Sequence, residues 1–207
     1  MLTLAVDDVP ITFRGKARHN VENCAAALAA LYSVGVPLEE CREALRQFKP
    51  DLAHNPGRQN VIKVAHASVL LDYGHNATGV ECVAELARGL CSGRLMGVVC
   101  APGDRTDDCI VKLGQVAGER FDALRIKEDK DLRGRKPGEV ATLLCSGASA
   151  HRNPADIAVV LDERQALRES LAAATEHDLV VVFYESLEAT LDHLSSLALE
   201  FGAAPLH

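Results

Sequence analysis

The sequence predicts an α/β fold: a Rossmann-like sheet, mostly parallel, with helices on both faces, preceded by a partial domain made of a β-hairpin and a helical hairpin. Two observations carry that expectation. From Gln59 onward, short apolar runs alternate with segments of helical periodicity, the rhythm of parallel strands joined by crossover helices. Before that point the rhythm differs. The polar, Pro/Gly-rich stretch from Lys49-Pro50-Asp51 to Asn55-Pro56-Gly57-Arg58 marks the change. The expected domains are therefore residues 1–58 and 59–207.

At the amino end, Leu2-Thr3-Leu4-Ala5-Val6 and Ile11-Thr12-Phe13 alternate around Asp7-Asp8-Val9-Pro10, a hairpin pattern. A lone hairpin is marginal in water, so it calls for a sheet that the next segment hardly supplies. The sequence is thus expected to begin inside a domain. After His19-Asn20, the residues Val21, Cys24, Ala25, Leu28 and Leu31 recur at helical spacing, and Gly35 stops that helix. Pro37 starts a second helix carrying Leu38, Cys41, Leu45 and Phe48. Beyond the boundary, strands are expected over 60–65, 68–72, 95–100, 123–126, 157–161 and 179–183. Helices are expected over 78–90, 107–118, 137–145, 162–175 and 187–199.

Composition narrows the class. The 207 residues are 48% hydrophobic, enough for a proper core, and with Trp absent that core must be mostly Leu, Val and Ala. A formal net charge of −7 without a basic stripe argues against nucleic acid as a partner. The seven cysteines, Cys24, Cys41, Cys82, Cys91, Cys100, Cys109 and Cys145, form no C-x-x-C pair. Most fall at apolar positions, so they read as reduced core thiols of a cytoplasmic protein rather than zinc ligands. No signal peptide or membrane-length apolar run is present, and no membrane partner is expected.

The chemistry is expected at the strand ends. Val69-Leu70-Leu71-Asp72 runs into Tyr73-Gly74-His75-Asn76-Ala77 before Thr78 opens a helix. Open α/β sheets bind ligands outside the carboxyl ends of their strands, which is where Asp72, His75 and Asn76 would sit. Asp, Gly and Asn also favour turns for backbone reasons alone. Three more polar clusters follow strands, however: Pro102-Gly103-Asp104-Arg105, Lys127 through Arg135, and Tyr184-Glu185-Ser186. Four charged loops on one edge are harder to dismiss than one. Within them Arg133-Gly134-Arg135 has the planar, two-pronged groups that suit a carboxylate or phosphate.

The succession ITFRGKARHNVENCAAALAA, NPGRQNV, LLDYGHN, PGDRTDD, FDALRIKEDKDLRGRKPGE and DLVVVFYE resembles the carboxyl-terminal part of the cyanophycin synthetase family, within the ATP-dependent Mur ligase superfamily. The resemblance covers nearly all of the chain, and PGDR and KEDxDxRGRxxGE are its most specific stretches. It implies that 1–58 is the tail of a Mur ligase central ATPase domain and 59–207 its carboxyl-terminal Rossmann-like domain. It implies ATP and magnesium as cofactors of a complete enzyme, with no metal ligand identified here. The implied reaction phosphorylates an aspartate side-chain carboxylate of the polymer and lets the amine of arginine attack the acyl phosphate. By the same resemblance Asn20 would meet adenine, Arg58 the phosphates and Asp72 the ribose hydroxyls. His75 and Asn76 would lie near the reaction centre, and Asp104, Arg105, Asp129, Arg133, Arg135 and Glu185 would hold the amino acid. A homo-oligomer is implied as well.

Two departures qualify it. The family motif Asp-Tyr-Ala-His-Asn-Pro has Ala and Pro where this chain has Gly74 and Ala77, and losing proline frees the turn's backbone. No G-x-x-x-x-G-K-[ST] occurs, so the phosphate-cradling P-loop is expected from elsewhere, in cis or in trans with an ATP-grasp region. The chain is then not expected to be active alone. Another Mur-type amino-acid ligase, or a non-catalytic nucleotide-binding, amino-acid-binding or assembly module, stays open as an alternative.

Overall fold

The computed structural model describes residues 4–206. They form two compact units, Met1–Asn60 and Val61–His207.

The first unit opens on two single 3-10 turns, Val6–Asp8 and Pro10–Thr12, and not on the expected hairpin. Of the first expected strand, Leu2 and Thr3 fall outside the described residues. The physical reason lies in two residues. Pro10 occupies the first position of the second turn, where its fixed φ suits a helical turn and its missing N–H costs nothing. Thr12, 2% exposed, donates its hydroxyl to the Val9 carbonyl at 2.7 Å and lies 2.9 Å from that of Val6, stitching the turns together. Helices α1 (Arg18–Ser33) and α2 (Leu38–Gln47) follow as the expected helical pair. Of α1 only Asn20 is buried, and Leu31, Tyr32 and Val34 are exposed at its end.

The remaining elements are β1 (Arg58–Val64), β2 (Ala67–Asp72), α3 (Ala77–Leu90), β3 (Leu95–Val99), α4 (Asp107–Arg120), β4 (Ala123–Ile126), α5 (Glu139–Ser149), β5 (Ile157–Val159), α6 (Glu163–Ala173), β6 (Leu179–Phe183) and α7 (Leu187–Glu200). The sheet order is β1-β2-β6-β3-β4-β5. Every neighbouring pair from β2 to β5 is parallel. β1 reaches β2 through the two-residue turn Ala65-His66, a connection that only antiparallel neighbours can use.

β3 and β6 are buried along their whole length, as strands covered on both faces must be. Val69, Leu71, Val98, Val180 and Val182 point to one face, where they pack with Leu167 and Leu171 of α6 and Leu194 and Leu197 of α7. The alternate residues Leu70, Val181 and Phe183 are equally buried and turn to the other face, that of α3, α4 and α5. There α4 and α5 approach backbone to backbone. A Cβ at Gly114 would collide with the Leu144 carbonyl, and one at Gly147 with that of Val111. Among the cysteines only Cys41 and Cys100 are buried, so the expectation of mostly core thiols is corrected: four are half-buried and Cys109 is exposed.

Candidate active site

Parallel pairing in the order β2-β6-β3-β4 sets four carboxyl ends side by side, and the polar loops after them share one edge. Asp72 is the last residue of β2, 3% exposed, and lies opposite Phe183, the last residue of β6. The chain then turns through Tyr73 and Gly74. The glycine is there for space: a Cβ on it would sit 2.8 Å from Phe183 Cε1 and 3.3 Å from Asp72 Oδ1. The space a Cβ would need here is taken by the Phe183 ring, itself packed edge-on against Phe121 at 6.3 Å.

Asn76 caps α3, its side-chain oxygen accepting from the Gly79 amide at 2.8 Å. Its backbone is extended, at φ −144° and ψ 164°. That is the conformation a residue before proline adopts, and Ala77 stands at the first helical position, where proline is well tolerated. The turn therefore keeps its shape without the proline. His75 is half-buried, with Nδ1 3.2 Å from the Tyr73 carbonyl and its ring 5.4 Å from that of Tyr73.

The later loops are tied to one another. Arg133, at φ 47°, donates to Asp104 at 2.8 Å. That hydrogen bond holds the Asp104 carboxyl below its ordinary range and raises the Arg133 guanidinium. Arg135 donates to the carbonyls of Gly103 and Arg105, at 2.8 and 2.7 Å, and pairs with Asp107 and Glu139. Glu185 accepts from the backbone amides of Lys130 and Asp131, at 2.8 and 3.2 Å, joining the β6 loop to the β4 loop. Arg105 is exposed, and its carbonyl is engaged in this web. Glu128 faces inward and caps α5 by accepting from Gly138 and Ala141.

Under these loops lies a charged cluster that sequence reasoning did not single out. The side chain of Lys127 is 1% exposed, and its Nζ is 2.9 Å from Glu163 Oε2, 3.2 Å from Cys100 Sγ and 3.8 Å from Asp129 Oδ1. Burial by itself would lower the Lys127 ammonium, but the carboxylates of Glu163 and Asp129 beside it raise it instead. Burial pushes the Cys100 thiol up to about 12, so at neutral pH it is an uncharged neighbour and the two carboxylates balance the lysine. Burial also raises Asp129, although Lys127 opposes it. Glu163 further accepts from Thr190 Oγ1 at 2.6 Å and lies 3.6 Å from His193 Nδ1. The only sequence signal for Glu163 was an acid in a helix's first turn, which is commonplace.

Asn20 and Arg58 belong to the first unit. Asn20 is buried and spends its amide on the Ile11 carbonyl at 2.8 Å and on Gln59 Oε1 at 2.6 Å. Its carbonyl oxygen is what it has to offer an exocyclic amine, which suits adenine. Arg58 is exposed. For a nucleotide, the buried carboxylate of Asp72 at a strand end suits ribose hydroxyls, which donate where a carboxylate accepts. Among the described residues no group of three or more His, Cys, Asp or Glu is arranged to hold a metal ion, and no helix is long and apolar enough to cross a membrane.

Residues 57–183 match the family described as Mur ligase, glutamate ligase domain. The chain belongs to the Mur ligase family. Within that family it is 37% identical over 188 residues to the cyanophycin synthetase of Crocosphaera subtropica, covering 89% of this chain and 21% of that protein. It is 26% identical over 181 residues to a UDP-N-acetylmuramoyl-L-alanyl-D-glutamate–2,6-diaminopimelate ligase of Clostridium acetobutylicum, covering 85% of this chain and 35% of that one. The chain thus spans about a fifth of the length of the cyanophycin synthetases it matches. In fold it is similar to the UDP-N-acetylmuramate-alanine ligase of Thermotoga maritima, with a TM-score of 0.61, 16% identity, and coverage of 88% of this chain and 36% of that one.

Proposed function

We propose that this chain supplies the carboxyl-terminal part of an ATP-dependent amide ligase that joins arginine to the aspartate side-chain carboxylate of a cyanophycin-like polymer. The observation that carries the reading is the convergence of the β3, β4 and β6 loops through Arg133–Asp104 and Glu185, in a chain whose similarity to cyanophycin synthetases runs over most of its length. A site for an amino acid with a charged side chain needs both signs of charge, and this edge holds both.

In that reading Asp72 accepts the ribose hydroxyls of ATP, Asn20 meets adenine and Arg58 reaches the phosphates. ATP, with magnesium, supplies the phosphoryl group that activates the carboxylate. The chain's own residues position the amine. Arg133 and Asp104 form one wall, Glu185 holds the β4 loop in place, and Arg135 fixes the loop that carries Asp104 and Arg105. Asn76 acts through the helix it caps, orienting His75 at the mouth of the turn, where a ring nitrogen can hold a proton beside the reacting groups. Residues 1–58 read as the tail of a central ATPase domain, which the exposed Leu31, Tyr32 and Val34 at the end of α1 support. The P-loop belongs to another part of the ligase, so ADP release by the 207 residues alone should not exceed a blank.

The test uses a complete synthetase carrying this chain. Arg133→Ala and Glu185→Ala should each slow arginine addition about tenfold to a hundredfold while sparing aspartate addition. Parent rates of arginine incorporation in both variants would remove the assignment.

A further inference from the structure

Three side chains of the first unit form one hydrogen-bonded line that ends on a backbone carbonyl. Asn20 Nδ2 donates to the Ile11 carbonyl at 2.8 Å and to Gln59 Oε1 at 2.6 Å. Gln59 Nε2 in turn lies 2.6 Å from His19 Nε2. A backbone carbonyl can only accept, so the Asn20 atom facing Ile11 must be its nitrogen. The Gln59 atom facing that nitrogen must then be its oxygen, which turns the amino group of Gln59 toward His19. His19 Nε2 must accept from it, and the proton of the neutral ring is left on Nδ1. One carbonyl thus sets every polarity in the line.

The backbone holds Gln59 in this place against its ordinary preference. The residue is 7% exposed and sits at φ 54°, a left-handed conformation uncommon for a residue with a side chain. Such strain persists where the surroundings fix it, and it gathers at working sites. Here the next residue does the fixing. Asn60, 1% exposed, accepts from the Gly57 amide at 2.6 Å and donates to the Asn55 and Pro50 carbonyls at 3.0 and 3.2 Å. With its nitrogen drawn inward by two acceptors, Asn20 has its oxygen to present.

We infer that Gln59 is a positioning residue that holds the Asn20 amide oxygen outward, so that the ligase takes a purine bearing an exocyclic amine and turns away one bearing a carbonyl in its place. This rests on the amide-ligase reading and deepens it, by naming what sets the choice of nucleotide. The amine of adenine donates to the Asn20 oxygen. Hypoxanthine brings a carbonyl there, and two acceptors face to face leave both without a donor.

The experiment has two parts. NMR of the imidazole nitrogens in the isotope-labelled 207-residue chain should find neutral His19 with its proton on Nδ1. In Gln59→Glu, whose carboxylate can only accept, His19 should carry a proton on Nε2. A parent chain with the proton on Nε2 would reverse the line and overturn the inference. The second part compares kcat/KM for ATP and for inosine triphosphate in the complete ligase, read as nucleoside diphosphate released with whichever amino acid the ligase adds. The parent should favour ATP about tenfold to a hundredfold. Gln59→Met should lower that ratio about tenfold, whereas Gln59→Glu, which still accepts from Asn20, should keep it. Equal use of the two nucleotides by the parent, or a loss in Gln59→Met that is the same for both, would overturn the inference. Should Gln59→Met fail to fold, the parent tautomer and the ratio in Gln59→Glu decide. The amino acid that drives release reports the ligase reading separately: one other than arginine would remove that reading and leave the role of Gln59 standing.

Discussion

Replacing Gly74 with alanine restores the residue of the family motif, and it should destabilise this chain. The new Cβ would lie 2.8 Å from Cε1 and 3.0 Å from Cδ1 of Phe183, where ordinary side-chain contact begins at 3.4 Å. The ring cannot give way cheaply. Phe183 is fully buried on β6, between β2 and β3, and its outer edge meets Phe121, also fully buried. Overpacking at such a site costs about 1–3 kcal/mol. Phe183→Leu opens the space the methyl needs, so the two substitutions should couple. The double variant should be more stable than the sum of the single penalties predicts by about 0.5–3 kcal/mol. Urea unfolding of the four proteins, with unchanged m-values, measures this directly. If Gly74→Ala left the midpoint where it was, or if the penalties added within about 0.5 kcal/mol, the contact between Gly74 and Phe183 would not explain the glycine.

Ala77→Pro should stabilise the chain by about 0.4–1 kcal/mol, because the site already has the geometry proline requires; a fall in the thermal midpoint would contradict the reading of Asn76 as an extended cap. Lys127→Met should cost about 3–5 kcal/mol, since it leaves Glu163 and Asp129 buried without their cation. A penalty under about 1 kcal/mol in chemical unfolding would mean the cluster is well hydrated. Asp178 tests the acid side. Burial alone would raise it, but hydrogen bonds from the Arg94 side chain and the Thr175 and Arg94 amides outweigh that and bring it to about 2. A folded value below the ordinary 3.8 stabilises the chain above that value and is lost as pH falls toward 2. Asp178→Asn should therefore flatten the decline in stability between those two pH values, and an unchanged acid limb would contradict it.

Most of the second unit was legible because its strands are short apolar runs with no competing pattern. Leu179–Phe183 and Ala123–Ile126 fall where those runs predict them, and the helices between differ only at their ends. The opening hairpin was misread because two-residue alternation around Asp7–Pro10 does not separate a strand from consecutive 3-10 turns. What decides it is the Thr12 hydroxyl, a local bond that periodicity does not register. The polar edge was visible as four charged loops, and their mutual ties were partly foreseeable, since Arg133 and Asp104 are of opposite sign. The Lys127–Glu163 pair and the filling of Gly74 by Phe183 were not. Each depends on which strands become neighbours, and one sequence read in order does not reveal the β2-β6-β3 arrangement.

The measurement that bears most directly on the central claim is the coupling of ADP release to amino-acid incorporation by a complete synthetase in which this chain replaces the matching part. With magnesium, ATP and an aspartate-bearing primer, L-arginine should be incorporated with one ADP released for each residue added, and Asp72→Ala should suppress both together. Incorporation of 2,6-diaminopimelate or glutamate in preference to arginine, or ADP release indifferent to the amino acid supplied, would contradict the account.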